Sequence, residues 1–201
     1  MGKIIGITGG IASGKSTVTN FLRKQGLQVV DADAVVHQLQ KPGGRLFEAL
    51  VKHFGQEIIL ENGELNRPIL ASLIFSNPEE REWSRITQGE IIREELATLR
   101  DQLAQTEEIF FMDIPLLFEQ AYSAWFDETW LVYVDRDVQV ERLMKRDHLS
   151  KDEAEFRLVA QWPSEKKKDL ASHVLNNNGN QDQLLTQMFS LLEGGKQDDR
   201  D

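Results

Sequence analysis

The sequence predicts an α/β protein: a five-stranded, mostly parallel sheet with helices on both faces, carrying a helical insertion and a helical lid. Three observations predict it. Short β-branched or apolar runs alternate with helical stretches, the pattern of a parallel sheet covered on both sides. The first of these runs passes through a glycine-rich loop directly into a helix. One long segment in the first half breaks the alternation and is helical in pattern throughout.

Each element follows in order. Lys3-Ile4-Ile5-Gly6-Ile7-Thr8 reads as a buried strand. After the loop, Val18, Phe21 and Leu22 fall at helical spacing, and Gly26 ends that helix as a C-cap. Leu27 to Asp31 is the second strand. From about Gly43 to Gln105 the pattern is helical, with no obvious strand. Within it, Asn77-Pro78 starts a helix, Asn as N-cap and Pro at the first helical position. That helix runs toward Ala104, and Gly89 is a place for it to kink or divide. Glu108 to Asp113 is a third strand, stopped by Pro115, and Thr129 to Val134 a fourth. Ser150-Lys151-Asp152-Glu153 is a capping box. His148-Leu149 is therefore a joint between two helices, and Pro163 stops the second. His173-Val174-Leu175 is the last and weakest strand. The tail from Gly194 reads as frayed. Residues 1–42 and 106–201 form the core, 43–105 the insertion over the sheet's ligand edge, and 136–163 the lid.

Composition narrows the function classes. The chain has 201 residues, a formal net charge of -10 and no cysteine. The acidic balance argues against a broad nucleic-acid-binding surface. Thiolate zinc sites and disulfides are excluded. No run approaches the length of a membrane span, and no signal sequence opens the chain, so the expectation is a soluble cytoplasmic protein without a membrane partner.

Gly9-Gly10-Ile11-Ala12-Ser13-Gly14-Lys15-Ser16 fits G-x-x-x-x-G-K-[ST], the phosphate-binding loop. Successive N–H groups from Gly10 to Thr17 form an anion nest, and the helix that opens near Gly14 adds its positive N-terminal end. Lys15 supplies a full charge for the β- and γ-phosphates, and the Ser16 hydroxyl is placed for Mg²⁺. Asp31-Ala32-Asp33 stands at the carboxyl end of the second strand, where open parallel sheets bind ligands. Asp33 there is suited to orient an acceptor hydroxyl and take its proton. The competing role is that of N-cap to the helix beginning near Ala34.

Arg142 and Arg146 share a helix face with no carboxylate three or four residues away. An anionic ligand relieves that repulsion, and guanidinium groups suit phosphate oxygens. Arg157 is a further candidate, with Glu153 four residues before it as an ordinary surface partner. Asp113 ends an apolar strand, either as a Mg²⁺ ligand or as a carboxylate satisfied locally. Asn176-Asn177-Asn178-Gly179 is a polar loop able to meet an adenine edge, or a plain turn. The four histidines have no metal-ligand spacing.

Several of these pieces, taken together, resemble the dephospho-coenzyme A kinase family of phosphate-loop kinases. They are Ile7 to Ser16, Val30-Asp31-Ala32-Asp33, Gly63-Glu64-Leu65-Asn66-Arg67, Pro115-Leu116-Leu117-Phe118-Glu119, Arg142 to Asp147, and Asn176 to Gly179. They stand in the family's order up to about Glu193. The resemblance implies ATP-dependent phosphorylation of the ribose 3′-hydroxyl of dephospho-coenzyme A, the last step of coenzyme A synthesis, with Mg²⁺ accompanying ATP. It also implies that Asp33 is the catalytic carboxylate, aided by Lys15, Arg142 and Arg146. ATP falls to Gly10, Ile11, Ala12, Ser13, Gly14, Lys15, Ser16, Thr17, Arg142, Arg146, Asn177 and Gly179. The acceptor falls to Asp33, Arg67, Leu116, Leu117, Glu119 and Arg157, and the metal to Ser16 and Asp113. The insertion then holds the acceptor's pantetheine arm.

The chain departs from the family twice. It has Ala12 where glycine is usual, which asks for ordinary backbone angles or a little room. It reads Thr87-Gln88-Gly89 where Thr-His-Pro is usual. Two alternatives stand beside the kinase reading. One is a phosphate-loop kinase for another small metabolite or a nucleoside monophosphate. The other is a nucleotide switch, against which no Asn-Lys-x-Asp motif occurs and no Asp-Glu follows the third strand.

Overall fold

The computed structural model describes residues 2–194, so the tail expected to fray lies, from position 195 on, outside the described residues. The chain divides into two compact units, Met1–Val30 with Ala104–Asp201 and Asp31–Leu103.

The first unit is built on the sheet. Its strands are β1 (Lys3–Gly9), β2 (Gln28–Asp31), β3 (Ile109–Asp113), β4 (Glu128–Tyr133) and β5 (His173–Asn176), in the order β2-β3-β1-β4-β5. β1 pairs in parallel with both β3 and β4, and β4 with β5. Parallel strands need long crossovers, so β1, which carries the loop, is central because its neighbours arrive from far along the chain. The register sets Ile7 beside Asp113 and Gly9 beside Val132.

The three central strands, β1, β3 and β4, are buried along most of their length, which is why they read as continuous apolar runs, whereas the edge strands β2 and β5 stay partly exposed. On one face Ile5, Ile7, Phe111, Trp130, Val132 and Leu175 pack on α1 (Lys15–Lys24) and on α9 (Gln181–Gly194) through Val18, Leu22, Leu184 and Met188. On the other, Gly6 makes room for Leu117 and Phe126, either of which a Cβ at that position would meet at 2.7 Å. After β4, α6 (Arg136–Asp147) ends at His148 in the left-handed conformation, with φ 56°. α7 (Lys151–Leu158) begins on the expected capping box: the Ser150 side chain receives the Glu153 N–H, and Glu153 receives Ser150's. The two helices make a hairpin whose Val140, Leu143, Ala154 and Leu158 bury one another. α8 (Ser164–Lys168) begins just after Pro163.

The second unit holds α2 (Ala32–Leu39), α3 (Arg45–Phe54), a short 3₁₀ turn, α4 (Arg67–Ser76) and most of α5 (Pro78–Thr106). Leu50, Ile58, Leu65 and Leu70 form its core with Trp83 packed against them. α5 starts where Asn77-Pro78 says it should, the Asn77 side chain accepting the Glu79 N–H at 2.9 Å. It then runs unbroken through Gly89, where the sequence left room for a kink. Gln88 turns back to bond Ser84 within the same helix, and Gly89 faces open space.

Candidate active site

The loop between β1 and α1 closes with Gly14 at φ 91°, an angle that needs glycine. A Cβ there would also strike the Asn177 amide. α1 has no side-chain cap and no acidic residue in its first turn. Its first N–H groups are therefore open to an anion, apart from that of Thr17, which bonds the Gly14 carbonyl at 2.9 Å. Ala12 also lies in the left-handed region, at φ 60°. Its methyl thus keeps a strained backbone, with room found against the α6–α7 hairpin, and the ordinary angles that would have suited alanine are not adopted.

A cleft of about 420 Å³ opens over this loop. It is lined by Ala12, Gly14, Ser16, Thr17, Arg142, Arg146, Asn177 and Gly179, all expected at a nucleotide site, and by Gln181. Loop, arginine helix and β5 loop come from three separate parts of the sequence, and parallel pairing brings them together.

The individual partners refine the expected roles. Lys15 forms an ion pair with Asp113, whose side chain is only 5 % exposed. The pair sets the end of β3 directly beside the start of α1. Arg142 donates to the Asn177 carbonyl at 2.9 Å, and the Asn177 amide donates to the Ser13 carbonyl at 2.7 Å. Asn177 is therefore a brace for the loop as well as a wall of the cleft. Arg146 bonds Asp147 at 2.7 Å, and Arg157 bonds Asp147 too. The expected Arg157 partner was Glu153, but the capping box engages that carboxylate. Arg146 holds the Asp147 carboxyl below the usual range. Ser13 is buried, and its hydroxyl has no hydrogen-bond partner among the described residues.

Between Pro115 and Glu119, Leu116 is partly exposed, whereas Leu117 is fully buried over Gly6 and reaches no surface. Glu119 accepts from the Lys167 ammonium at 2.7 Å and from the Trp162 N–H at 3.1 Å. Lys167 has no exposed surface and also donates to the Pro115 carbonyl at 3.4 Å. This buried pair ties the segment after β3 to the residues flanking Pro163. In the second unit, Asp31 takes the N-cap role, accepting the Ala34 N–H at 3.0 Å. Asp33 is thereby released from capping and stands exposed in the first turn of α2. Arg67 opens α4 and is exposed.

Sequence reasoning passed over Gln139, Gln161, Lys167 and Gln181. The first two hold the loop, Gln139 donating to the Ile11 carbonyl at 2.8 Å and Gln161 accepting the Ile11 N–H at 3.2 Å. Gln139 was visible as a polar residue at a buried helix position. Gln161 and Lys167 carry no local signal, because their partners lie far away in sequence, and Gln181 is set apart only by its place on the cleft.

Ser16 and Asp113 offer hard oxygen donors, one on the cleft and one beside Lys15, which suits Mg²⁺ held mainly by substrate phosphates. No cluster of three His, Cys, Asp or Glu able to hold a metal occurs among the described residues, as that mode of binding requires none. No described helix is long and apolar enough to cross a membrane.

Comparison with known proteins agrees with this geometry. Residues 3–183 match the family model described as dephospho-CoA kinase. A dephospho-CoA kinase of Streptococcus pneumoniae serotype 4 is 88% identical over 201 residues, 100% of both chains. One of Streptococcus agalactiae serotype III is 54% identical over 193 residues, covering 96% of this chain and 99% of that one. A crystal structure from Thermus thermophilus superposes with a TM-score of 0.79 at 34% identity, covering 96% of this chain and 97% of that chain. Loop, cleft and full-length similarity lead to one conclusion: the chain belongs to the dephospho-CoA kinase family.

Proposed function

We propose that this protein transfers the γ-phosphoryl group of ATP to the ribose 3′-hydroxyl of dephospho-coenzyme A, giving coenzyme A and ADP in the cytoplasm. Similarity to dephospho-CoA kinases over the whole length carries the reading. The cleft over the phosphate loop supports it independently. ATP lies with its triphosphate over Gly10 to Thr17. Lys15 leaves Asp113 for the β- and γ-phosphates, and Arg142 and Arg146 neutralise charge on the moving group. Mg²⁺, held by phosphate oxygens, Ser16 and Asp113, supplies further charge neutralisation when bound.

Asp33 orients the acceptor. As the 3′-oxygen bonds to the γ-phosphorus and the bond to the β,γ-bridging oxygen breaks, the hydroxyl proton passes to the Asp33 carboxylate and ADP leaves. Residues 43–105 hold the rest of the acceptor, with Arg67, Leu116, Glu119 and Arg157 contributing, and 136–163 close as a lid that keeps water out.

The experiment is ADP release coupled to dephospho-coenzyme A, against AMP, CMP and shikimate as acceptors. Turnover with dephospho-coenzyme A alone is expected, and turnover only with a nucleoside monophosphate would overturn the proposal. Asp33→Asn is expected to lower kcat about 10²- to 10⁴-fold with the fold intact. Retention of most of kcat would remove Asp33 from its role.

A further inference from the structure

The turn that opens the phosphate loop is strained at one residue and held from outside by another. Gly10 accepts the Ser13 N–H at 3.1 Å, closing a four-residue turn. Of the two central residues, Ala12 has the positive φ, at 60°. A positive φ at the third position is the mark of a type II turn, which asks for glycine there. The type I turn differs by rotation of the middle peptide, here the Ile11 carbonyl with the Ala12 N–H, through about half a revolution, and it suits alanine. A left-handed angle costs an L-residue about 1–2 kcal/mol, so Ala12 by itself favours type I.

The opposing force comes from α6. Gln139 is 5 % exposed. Its Nε2 donates to the Ile11 carbonyl at 2.8 Å, and its Oε1 accepts from the Ser164 hydroxyl at 3.3 Å. A carbonyl only accepts, so the Ile11 contact fixes which end of the amide faces the loop. Gly10 is what lets it approach, since a Cβ there would strike Nε2. Gln161, accepting the Ile11 N–H, holds the preceding peptide. The middle peptide, the one that would flip, is held by Gln139.

We propose that Gln139 is a positioning residue for phosphoryl transfer. By gripping the Ile11 carbonyl it keeps the Ile11–Ala12 peptide in the orientation that Ala12 resists, and so sets the N–H directions of the nest that receives the triphosphate. A chain with glycine at position 12 needs no such grip; this chain, with alanine, does. The proposal rests on the cleft being the ATP site.

The test is a double-mutant cycle between Gln139→Ala and Ala12→Gly, with Gln139→Ala compared with its own parent in the alanine and in the glycine background. With Ala12 present, Gln139→Ala is expected to raise KM for ATP about tenfold, the equivalent of the strain released, while KM for dephospho-coenzyme A stays put. With glycine at position 12 the same substitution is expected to change KM for ATP less than about threefold. Equal losses in the two backgrounds, or no loss with alanine, would overturn the proposal. The same cycle read by urea unfolding without nucleotide should show the larger loss in the glycine background, because with alanine the strain released as the turn relaxes offsets part of the lost hydrogen bond. That arm stands even if the cleft does not bind ATP, so the two failures are distinguishable. Should the alanine variant not fold, Gln139→Met keeps the bulk without the donor and is read in the same way.

Discussion

Lys167 shows how much a single residue carries at this site. It is buried to the last atom, and its charge is balanced by Glu119, which is itself mostly buried and keeps one oxygen without a partner among the described residues. Removing one member of such a pair strands the other, at a cost of about 3–5 kcal/mol, whereas removing both is often close to neutral. Lys167→Met is therefore expected to lose stability on that scale in urea unfolding, and Lys167→Met with Glu119→Leu to regain most of it. A double variant no better than the single one would mean that Lys167 matters for packing and not for charge. At this scale the sequence was legible where chemistry is local. The loop glycines, Lys15, Ser16 and the arginine pair announce themselves by type and spacing. Lys167 sits in a run of three lysines that reads as solvated surface, and only its burial, created by distant partners, sets it apart.

At the scale of elements, caps and periodicity foresaw the helix starts well. Asn77-Pro78 and Ser150 to Glu153 stand where their capping chemistry puts them. Interruptions were harder to foresee, and Gly89 is the example. Its missing side chain weakens a helix, yet α5 continues because turns on both sides hold it. Gly89 is exposed, and a Cβ meets nothing within 4 Å. Gly89→Ala is therefore expected to stabilise the protein by up to about 1 kcal/mol. That is a rise of about 2–4 °C in Tm for a chain of this size. A fall in Tm would show that the helix uses glycine's freedom there. The Asp31-Ala32-Asp33 stretch teaches a related lesson. Two carboxylates two residues apart left the capping role open, and the backbone gave it to Asp31, which stands just before the first turn.

Across the whole molecule, the acid response follows from carboxylates held below their ordinary values. Asp147 is held down by Arg146, and Glu153 by Ser150. Burial pushes Glu128 up, but bonds from Lys3 and Trp130 outweigh it and leave it lowered. The unfolded chain then binds protons more readily than the folded one. The stability these groups contribute is complete above their ordinary values of 3.8 and 4.5 and is lost as pH falls through the lower folded values. Tm is expected to drop on acidification from pH 6 to about pH 3. Asp147→Asn with Glu153→Gln should drop less. A Tm that rises instead would place the self-repulsion of a chain with net charge -10 above these local bonds.

The sheet order was only partly legible, since apolar runs tell which segments are strands but not which are neighbours. The pairing that makes β1 central also has a consequence in time. Lys15 and Asp113 are 98 residues apart, Ile11 and Gln161 150, and Ser13 and Asn177 164. A ribosome adding about 5–20 residues per second needs about 5–20 s to pass from the loop to the partner of its lysine. It needs longer still for the braces at Gln161 and Asn177. The loop is thus made well before it is braced, and the growing chain has no complete phosphate nest to offer until Asn177 has been added.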